Sequence, residues 1–290
     1  MQEEEKPVAK PIMIQGTASG VGKTILTMAL CRIFNQDGYR VSPFKSQNIT
    51  SNTARTKSGA EIALAQVLQA LAAGAEPDAN MNPVLLKPGP NGTQVILNWY
   101  SLGYIDVNNF PAVRKELMPA IMNAYTSLSE QYDIIVIEGA GSPVELNLTK
   151  NDIVNMGIAK QVNAPVLLVS DVDRGGVFAS LYGTVNLFDE SERGYVKATI
   201  VNRFKGDITL FREGIKIIEN ITNLPVAGVI PYIKFDIPDE DALYKNSGTA
   251  YVPGADFDDQ FDLIADNVRK SLNMELIYKI LNEGIEGKRA

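Results

Sequence analysis

Residues 11–24 read Pro11-Ile12-Met13-Ile14-Gln15-Gly16-Thr17-Ala18-Ser19-Gly20-Val21-Gly22-Lys23-Thr24. A short apolar run, expected as a strand over 11–15, gives way to a glycine-rich turn, and Gly22-Lys23-Thr24 opens a segment of helical period reaching residue 35. Such a turn aims backbone N–H groups and the positive end of a helix at a phosphate chain. Lys23 is placed to reach the β and γ phosphates of a nucleotide, and the Thr24 hydroxyl to ligate Mg2+. Gly16, Thr17, Ser19, Gly20 and Gly22 make up the cradle. Counted from Gly16, the motif is one residue longer than the common G-x4-G-K-[ST] spacing.

Outward from this turn the same alternation repeats. Strands are expected at 41–44, 133–137, 166–170, 198–201 and 226–230, between helices at 59–73, 112–130, 153–162, 177–188 and 210–221. The run Ile134-Ile135-Val136-Ile137 is apolar without alternation, as strands covered on both faces are. The expected fold is an α/β, doubly wound, mainly parallel sheet of the P-loop NTPase type. Residues 81–110, rich in Asn, Gly and Pro, read as an irregular or hairpin-like insertion.

Residues 1–10 are expected to be disordered and 11–234 to form the nucleotide-using domain. Residues 235–257, acidic with Gly and Pro, read as a linker or surface loop. Residues 258–290 read as a C-terminal helix. Its apolar positions Phe261, Ile264, Val268, Leu272, Leu276 and Ile280 recur at intervals of three and four, which suits docking on a core. Its acidic excess disfavours a membrane surface.

Composition bounds the chemistry. With 290 residues, 45% hydrophobic, 21% charged and a net charge of −7, the chain reads as globular, without the basic surface that nonspecific nucleic-acid binding needs. No apolar run approaches the roughly 20 residues of a membrane span, and the first ten residues carry no signal-peptide core. A cytoplasmic location is expected. The single cysteine, Cys31, excludes an intramolecular disulfide, and the absence of histidine excludes Ser-His, Cys-His and His-metal sites within this chain.

Further candidates sit where other strands end. Glu138, in Ile137-Glu138-Gly139-Ala140-Gly141, is placed to hold Mg2+ beside Thr24, with glycines that let the chain turn close to phosphates. Asp171 and Asp173 either assist the metal or pair structurally with Arg174, whose guanidinium is suited to a carboxylate or phosphate. Guanine-specific P-loop proteins carry Asn-Lys-x-Asp late in the sheet. Here Asn202-Arg203-Phe204-Lys205 has no matching Asp, which favours ATP, with Asn202 and the loop around Pro231 as adenine contacts.

The segments Gly16 to Thr24, Phe44-Lys45-Ser46-Gln47-Asn48, Met81-Asn82-Pro83-Val84-Leu85-Leu86-Lys87-Pro88, Ile137-Glu138-Gly139-Ala140-Gly141-Ser142-Pro143, Asp152-Ile153-Val154-Asn155-Met156-Gly157 and Asp171-Val172-Asp173-Arg174-Gly175-Gly176 together resemble the synthetase domain of cobyric acid synthase. The longer P-loop and the Phe-Lys pair are also similar to dethiobiotin synthetase. The resemblance covers roughly residues 11–233. It implies ATP- and Mg2+-dependent amidation of corrinoid side-chain carboxylates, from cobyrinic acid a,c-diamide towards cobyric acid, through an acyl phosphate. Lys23, Lys45, Glu138 and Asp152 form the expected catalytic set, with Lys45 facing the γ-phosphate and the incoming carboxylate. Ser46, Gln47, Asn48, Asn155 and Arg174 are expected on the substrate, with structural capping a competing role for Asp152 and Asn155.

Family members carry a glutaminase domain whose nucleophilic Cys works with His and Glu. This sequence has no His, and Cys31 falls in the helix after the P-loop. The expectation is a synthetase lacking that domain, with ammonia supplied externally or by a separate glutaminase. The segment 261–281 resembles the helix that closes the family after its glutaminase domain. Leu64 stands where the family has Arg. The expected partners are a corrinoid small molecule and a second copy in a homodimer, with no nucleic acid and no membrane. A dethiobiotin-synthetase-like ligase and a partition-type scaffold ATPase are the alternatives. The scaffold ATPase would carry a lysine where Ala18 stands.

Overall fold

The computed structural model describes residues 8–90, 92–105, 110–147, 152–238 and 256–285. The expected disordered N-terminus (for residues 1–7), most of the expected linker (239–255) and the last five residues lie outside the described residues. In chain order the first elements are β1 (Lys10–Gly16), α1 (Lys23–Gln36), β2 (Val41–Phe44), β3 (Gln47–Ile49), β4 (Thr53–Arg55), β5 (Glu61–Ala63), α2 (Leu64–Ala72), β6 (Val84–Gly89), β7 (Gly92–Leu97), β8 (Tyr100–Ile105) and α3 (Phe110–Ser129). They are followed by β9 (Ile134–Glu138), α4 (Met156–Val162), β10 (Val166–Asp171), α5 (Val177–Leu187), α6 (Glu190–Arg193), β11 (Val196–Phe204), α7 (Arg212–Thr222), β12 (Val226–Pro231), α8 (Asp258–Ser271) and α9 (Met274–Glu283).

The central sheet has the order β12-β11-β10-β1-β9-β2, and each neighbouring pair is parallel. Side chains alternate between its faces. In β1, Ile12 and Ile14 pack with α1, α2, α8 and α9, while Met13 packs on the side of α3, α4, α5 and α7. Both faces are therefore covered, which explains why these strands are apolar throughout. All carboxyl ends of the sheet point the same way, so the loops after β1, β2, β9 and β11 meet at one edge, where α/β sheets bind ligands.

The stretch 81–110, expected to be irregular or hairpin-like, carries β6, β7 and β8 in successive antiparallel pairs, the hairpin-like alternative, and β3 adds in parallel beside β6 to give a second sheet of order β3-β6-β7-β8. Asn98 and Trp99, both at positive φ, make the two-residue turn from β7 to β8. The helix expected over 59–73 begins only at Leu64, because Glu61 is held in the β4–β5 hairpin by Thr53 (2.5 Å) and Lys87 (2.5 Å). The helix expected from residue 153 begins at Met156, since the Asp152 carboxylate first gathers the N–H groups of Val154, Asn155 and Gly157.

The single helix expected over 258–290 is two helices. At Leu272 the chain becomes extended and bridges antiparallel to Gly228 of β12, with the Asn273 N–H donating to the Ala227 carbonyl (2.7 Å). The Asn273 side chain then caps α9 at the Leu276 N–H (3.0 Å). Gly228 permits the approach: a Cβ there would run into the Ser271 carbonyl and come within 2.7 Å of Leu272 Cδ2. α8 docks on α1 through Phe261, Ile264, Ala265 and Val268, each large apolar side chain contributing about 1.5–3 kcal/mol. Arg32–Asp262 (2.7 Å) and Arg269–Asp37 (2.9 Å) flank that seam. Among the described residues no helix is long and apolar enough to cross a membrane.

Candidate active site

The P-loop leaves β1 at Gly16 and is pinned to its neighbours. The Thr17 N–H donates to the Val169 carbonyl (2.9 Å) and its hydroxyl to Ser170 Oγ (3.0 Å), fixing the loop against β10. Gly22 caps α1 at φ 97°, ψ 24°, a left-handed geometry that favours glycine. Asn202 Nδ2 donates to the Val21 carbonyl (2.8 Å) and would collide with a Cβ at Gly22. Asn202 thus braces the loop from the end of β11.

The polar groups converge on Glu138. It ends β9, two strands from β10 and between β1 and β2, and is 2% exposed. Its Oε1 accepts from Thr24 Oγ1 (2.9 Å) and Lys45 Nζ (2.9 Å), and its Oε2 accepts from Gln69 Nε2 (2.6 Å). A buried carboxylate persists as an ion only when it is so compensated. Lys23 Nζ spans the cleft, donating to the carbonyls of Ala18 and Gly141 (3.0 Å each). Both ammonium groups therefore lie at the mouth of the loop that opens α1.

The other expected residues divide by position. Ser19, Gly20, Gly22, Lys23, Thr24, Lys45, Gln47, Asn48 and Glu138 line one cleft of about 520 Å³, within the range of small-molecule sites. Ser46, Asp152 and Asn155 do not. Ser46 Oγ donates to the Ile153 carbonyl (2.6 Å), and Asn155 exchanges hydrogen bonds with the backbone of Ala140, accepting from its N–H (3.2 Å) and donating to its carbonyl (2.7 Å). Asn155 thus holds the Gly139–Gly141 turn in shape, Ser46 ties the end of β2 to the 152–155 loop, and Asp152 gathers the backbone N–H groups at the start of α4. Arg174 stands over the P-loop, its Nη2 within 2.8 Å of where a Gly20 Cβ would be. It shares Asp171 with Arg203 (3.5 and 3.2 Å), while Asp173 pairs with Lys205 (2.7 Å).

Pro231 lies at the exposed end of β12 and is not part of the cleft wall. Arg203, Phe235, Ile237 and Pro238 form that end instead. Phe235, Ile237 and Pro238 carry no signal within a stretch that reads as linker. Gln69 was equally hidden, in the apolar run of α2. Cys31 is fully buried in α1. Burial, reinforced by the Glu138 charge, pushes its thiol well above the ordinary range, so it is inert as a nucleophile near neutral pH.

A glycine-rich loop between β1 and α1, a lysine and threonine at the helix start and an acid ending a neighbouring parallel strand define a P-loop nucleotide-binding protein of the doubly wound type. The chain belongs to the family of the CobQ/CobB/MinD/ParA nucleotide binding domain, which matches residues 12–241. It is similar to the cobyric acid synthase of Ruminiclostridium cellulolyticum, at 56% identity over 237 residues, covering 81% of this chain and 46% of that protein. The cobyric acid synthases of Lachnoclostridium phytofermentans (53%, covering 81% and 47%) and Listeria monocytogenes serotype 4b (51%, covering 85% and 48%) match over a similar span. The chain spans about half the length of these curated relatives.

Proposed function

We propose that this chain uses ATP to activate a carboxylate of a corrinoid and passes the activated acyl group to ammonia, the synthetase half of a cobyric acid synthase reaction. The observation that carries this reading is the convergence of Lys23, Lys45, Thr24 and Glu138 in one cleft, whose far wall is β3 with Gln47 and Asn48. Similarity to cobyric acid synthases supplies the acceptor class.

A carboxylate is a poor electrophile, so one of its oxygens must first attack the γ-phosphorus of ATP. That bond forms as the bond to the ADP oxygen breaks, giving an acyl phosphate. Ammonia then adds at the acyl carbon, phosphate leaves with the electron pair of the C–O bond, and the surplus proton passes to solvent. The first step brings two anions together. Lys23 and Lys45 stand where that repulsion is greatest and offset it with positive charge held in place beforehand. The turn 139–141, clamped by Asn155, keeps backbone close to the phosphates.

Thr24 Oγ1 and Glu138 Oε1, 2.9 Å apart, are hard oxygen donors of the kind Mg2+ takes. Among the described residues no cluster of three or more acidic, Cys or His side chains exists to cage a metal. That fits an ion held largely by nucleotide oxygens and water, and Mg2+ so bound supplies charge neutralisation to the phosphates. At the other end, the Phe235, Ile237 and Pro238 surface beside Arg203 offers a purine an apolar seat with a cation at its edge.

The test measures ADP release and, by mass spectrometry, amide formation on cobyrinic acid a,c-diamide with 15N-ammonium or 15N-amide glutamine. The expected result is label from ammonium only, because a buried Cys31 and no His cannot build a thiolate-imidazole pair. Lys23→Ala and Thr24→Ala should abolish turnover at unchanged fold. Label from glutamine in the purified 290-residue chain refutes the nitrogen assignment. ADP release without any amide refutes the acceptor.

A further inference from the structure

The nine residues of α2, Leu64-Ala65-Gln66-Val67-Leu68-Gln69-Ala70-Leu71-Ala72, contain two polar side chains, and both are wholly buried. An amide withdrawn from water is costly unless its hydrogen bonds are replaced, so two of them three residues apart on one apolar helix call for a use. Their partners supply it. Asn48 Nδ2 donates to Gln66 Oε1 (2.9 Å), Gln66 Nε2 donates to Gln69 Oε1 (3.4 Å), and Gln69 Nε2 donates to Glu138 Oε2 (2.6 Å) and to the Thr24 carbonyl (3.3 Å).

Every amide in this series points the same way, and its direction is set at both ends. At one end Asn48 Oδ1 accepts the Ile49 N–H (2.7 Å), which leaves the Asn48 amide nitrogen to face Gln66. At the other end a carboxylate only accepts, so Gln69 must present its nitrogen. Reversing any one amide would set two acceptors or two donors against each other. Amides aligned in this way polarise one another, and the last bond, to a charged acceptor, is the strongest.

We propose that Asn48, Gln66 and Gln69 form a one-way hydrogen-bond chain that fixes the Glu138 carboxylate against Thr24, so that Gln66 and Gln69 are positioning residues of the phosphoryl-transfer site. Without this chain Glu138 Oε2 would have a buried vacancy opposite it, and the carboxylate could turn away from Thr24 while Lys45 still held Oε1. The chain also starts in the cleft wall at β3, so the acceptor side and the phosphate side share one rigid frame. The inference rests on the proposed ATP-using role of the cleft, but not on the identity of the acceptor.

The experiment is a double-mutant cycle on the full chain with Gln66→Met and Gln69→Met, which keep volume and remove the amides. It reads ADP release at saturating ATP and, in parallel, the affinity for Mg2+–ATP by calorimetry. Gln69→Met is expected to lower kcat roughly tenfold, as loss of a hydrogen bond to a charged group does, with KM for ATP and calorimetric affinity within about twofold. Gln66→Met should lower kcat less, and the double variant should match Gln69→Met alone, because a chain already cut at its last link loses nothing further at the middle one. Gln69→Glu, which keeps shape but offers an acceptor to Glu138, should be worse than Gln69→Met. Wild-type kcat in Gln69→Met, or effects that multiply in the double variant, overturns the proposal. If Gln69→Met does not fold, Gln66→Met, which does not touch Glu138, decides: kcat unchanged overturns the chain, and kcat lowered at constant affinity upholds it. Should the wild type release ADP yet form no amide, the acceptor reading fails while this cycle is still read in full.

Discussion

Replacing Lys45 by Met tests whether the Lys45–Glu138 pair is an element of both stability and catalysis. The two groups are 2.9 Å apart, with side chains 8% and 1% exposed. Removing one partner of a pair this buried costs about 3–5 kcal/mol, because the other charge is left without compensation. Thr24 and Gln69 still donate to Glu138 after the change, which sets the expectation at the lower end, about 3 kcal/mol. With a urea dependence of about 3 kcal/mol per molar for a chain of this length, the unfolding midpoint should fall by about 1 M. Lys45→Met with Glu138→Gln removes both charges, and the double variant should recover most of that loss, a coupling of about 2 kcal/mol. Turnover should not recover: loss of a charge aimed at the reacting phosphate costs about 100-fold or more in ADP release. The assay pairs urea unfolding followed by circular dichroism with ADP release on the same four proteins. A midpoint unchanged in Lys45→Met, or losses that simply add in the double variant, would refute the reasoning.

Gly228→Ala drives a Cβ into the Ser271 carbonyl and should cost about 1–3 kcal/mol, lowering Tm by roughly 3–10 °C with kcat at 25 °C unchanged; an unaltered Tm would show that the Leu272 bridge gives way freely. Arg203→Ala and Phe235→Ala should each raise KM for ATP by roughly tenfold at nearly constant kcat, as lost base stacking does, and a kcat effect instead would place them at the phosphates. The α1–α8 seam should be acid-sensitive. The Asp262 carboxyl is held below its usual range by the hydrogen bond from Arg32, against an opposing effect of burial; for Asp37 burial works upward, but Arg269 and Tyr278 outweigh it. Depressed folded-state values mean stabilisation fully present above the unfolded value of about 3.9 and lost as pH falls through the folded ones. The Tm gap between wild type and Asp37→Asn with Asp262→Asn should therefore be steady from pH 5 to 7 and close in more acidic solution, and a gap independent of pH would refute the assignment.

What the sequence disclosed follows from how each residue acts. The P-loop, Lys45 and Glu138 stand at strand ends, where an apolar run stops abruptly at a glycine or a charge, so position and residue type are visible together. The parallel sheet was equally open to reading, since strands buried on both faces cannot hide their composition. Gln66 and Gln69 were not legible, because a buried glutamine in a helix looks like a solvated one until its partners 18 and 69 residues away are known. Asp152, Ser46 and Asn155 show the converse. Their residue types suit ligand contact, but their hydrogen bonds go to backbone: Asn155 to Ala140 in the 139–141 turn, Ser46 to Ile153, and Asp152 to the N–H groups of Val154, Asn155 and Gly157. The break between α8 and α9 depends on the backbone bridge to Gly228, a contact between residues far apart in sequence that no local periodicity carries.

That α8 lies along α1 has a bearing on the far side of the molecule. α1 begins at the phosphate loop, and its last turn supplies the Ile33 carbonyl and Gln36, and the C-cap residue Asp37 its carboxylate, to Arg269. Detaching α8 would strip the outer face of the helix that carries Lys23 and Thr24, so the expected outcome is that opening of the C-terminal pair and loss of phosphate affinity occur together. A nucleotide at a hundred times its Kd opposes any opening that abolishes its site by about 2.7 kcal/mol. Amide hydrogens in α8 and α9, remote from the cleft wall, should then exchange on the order of a hundredfold more slowly when nucleotide is added.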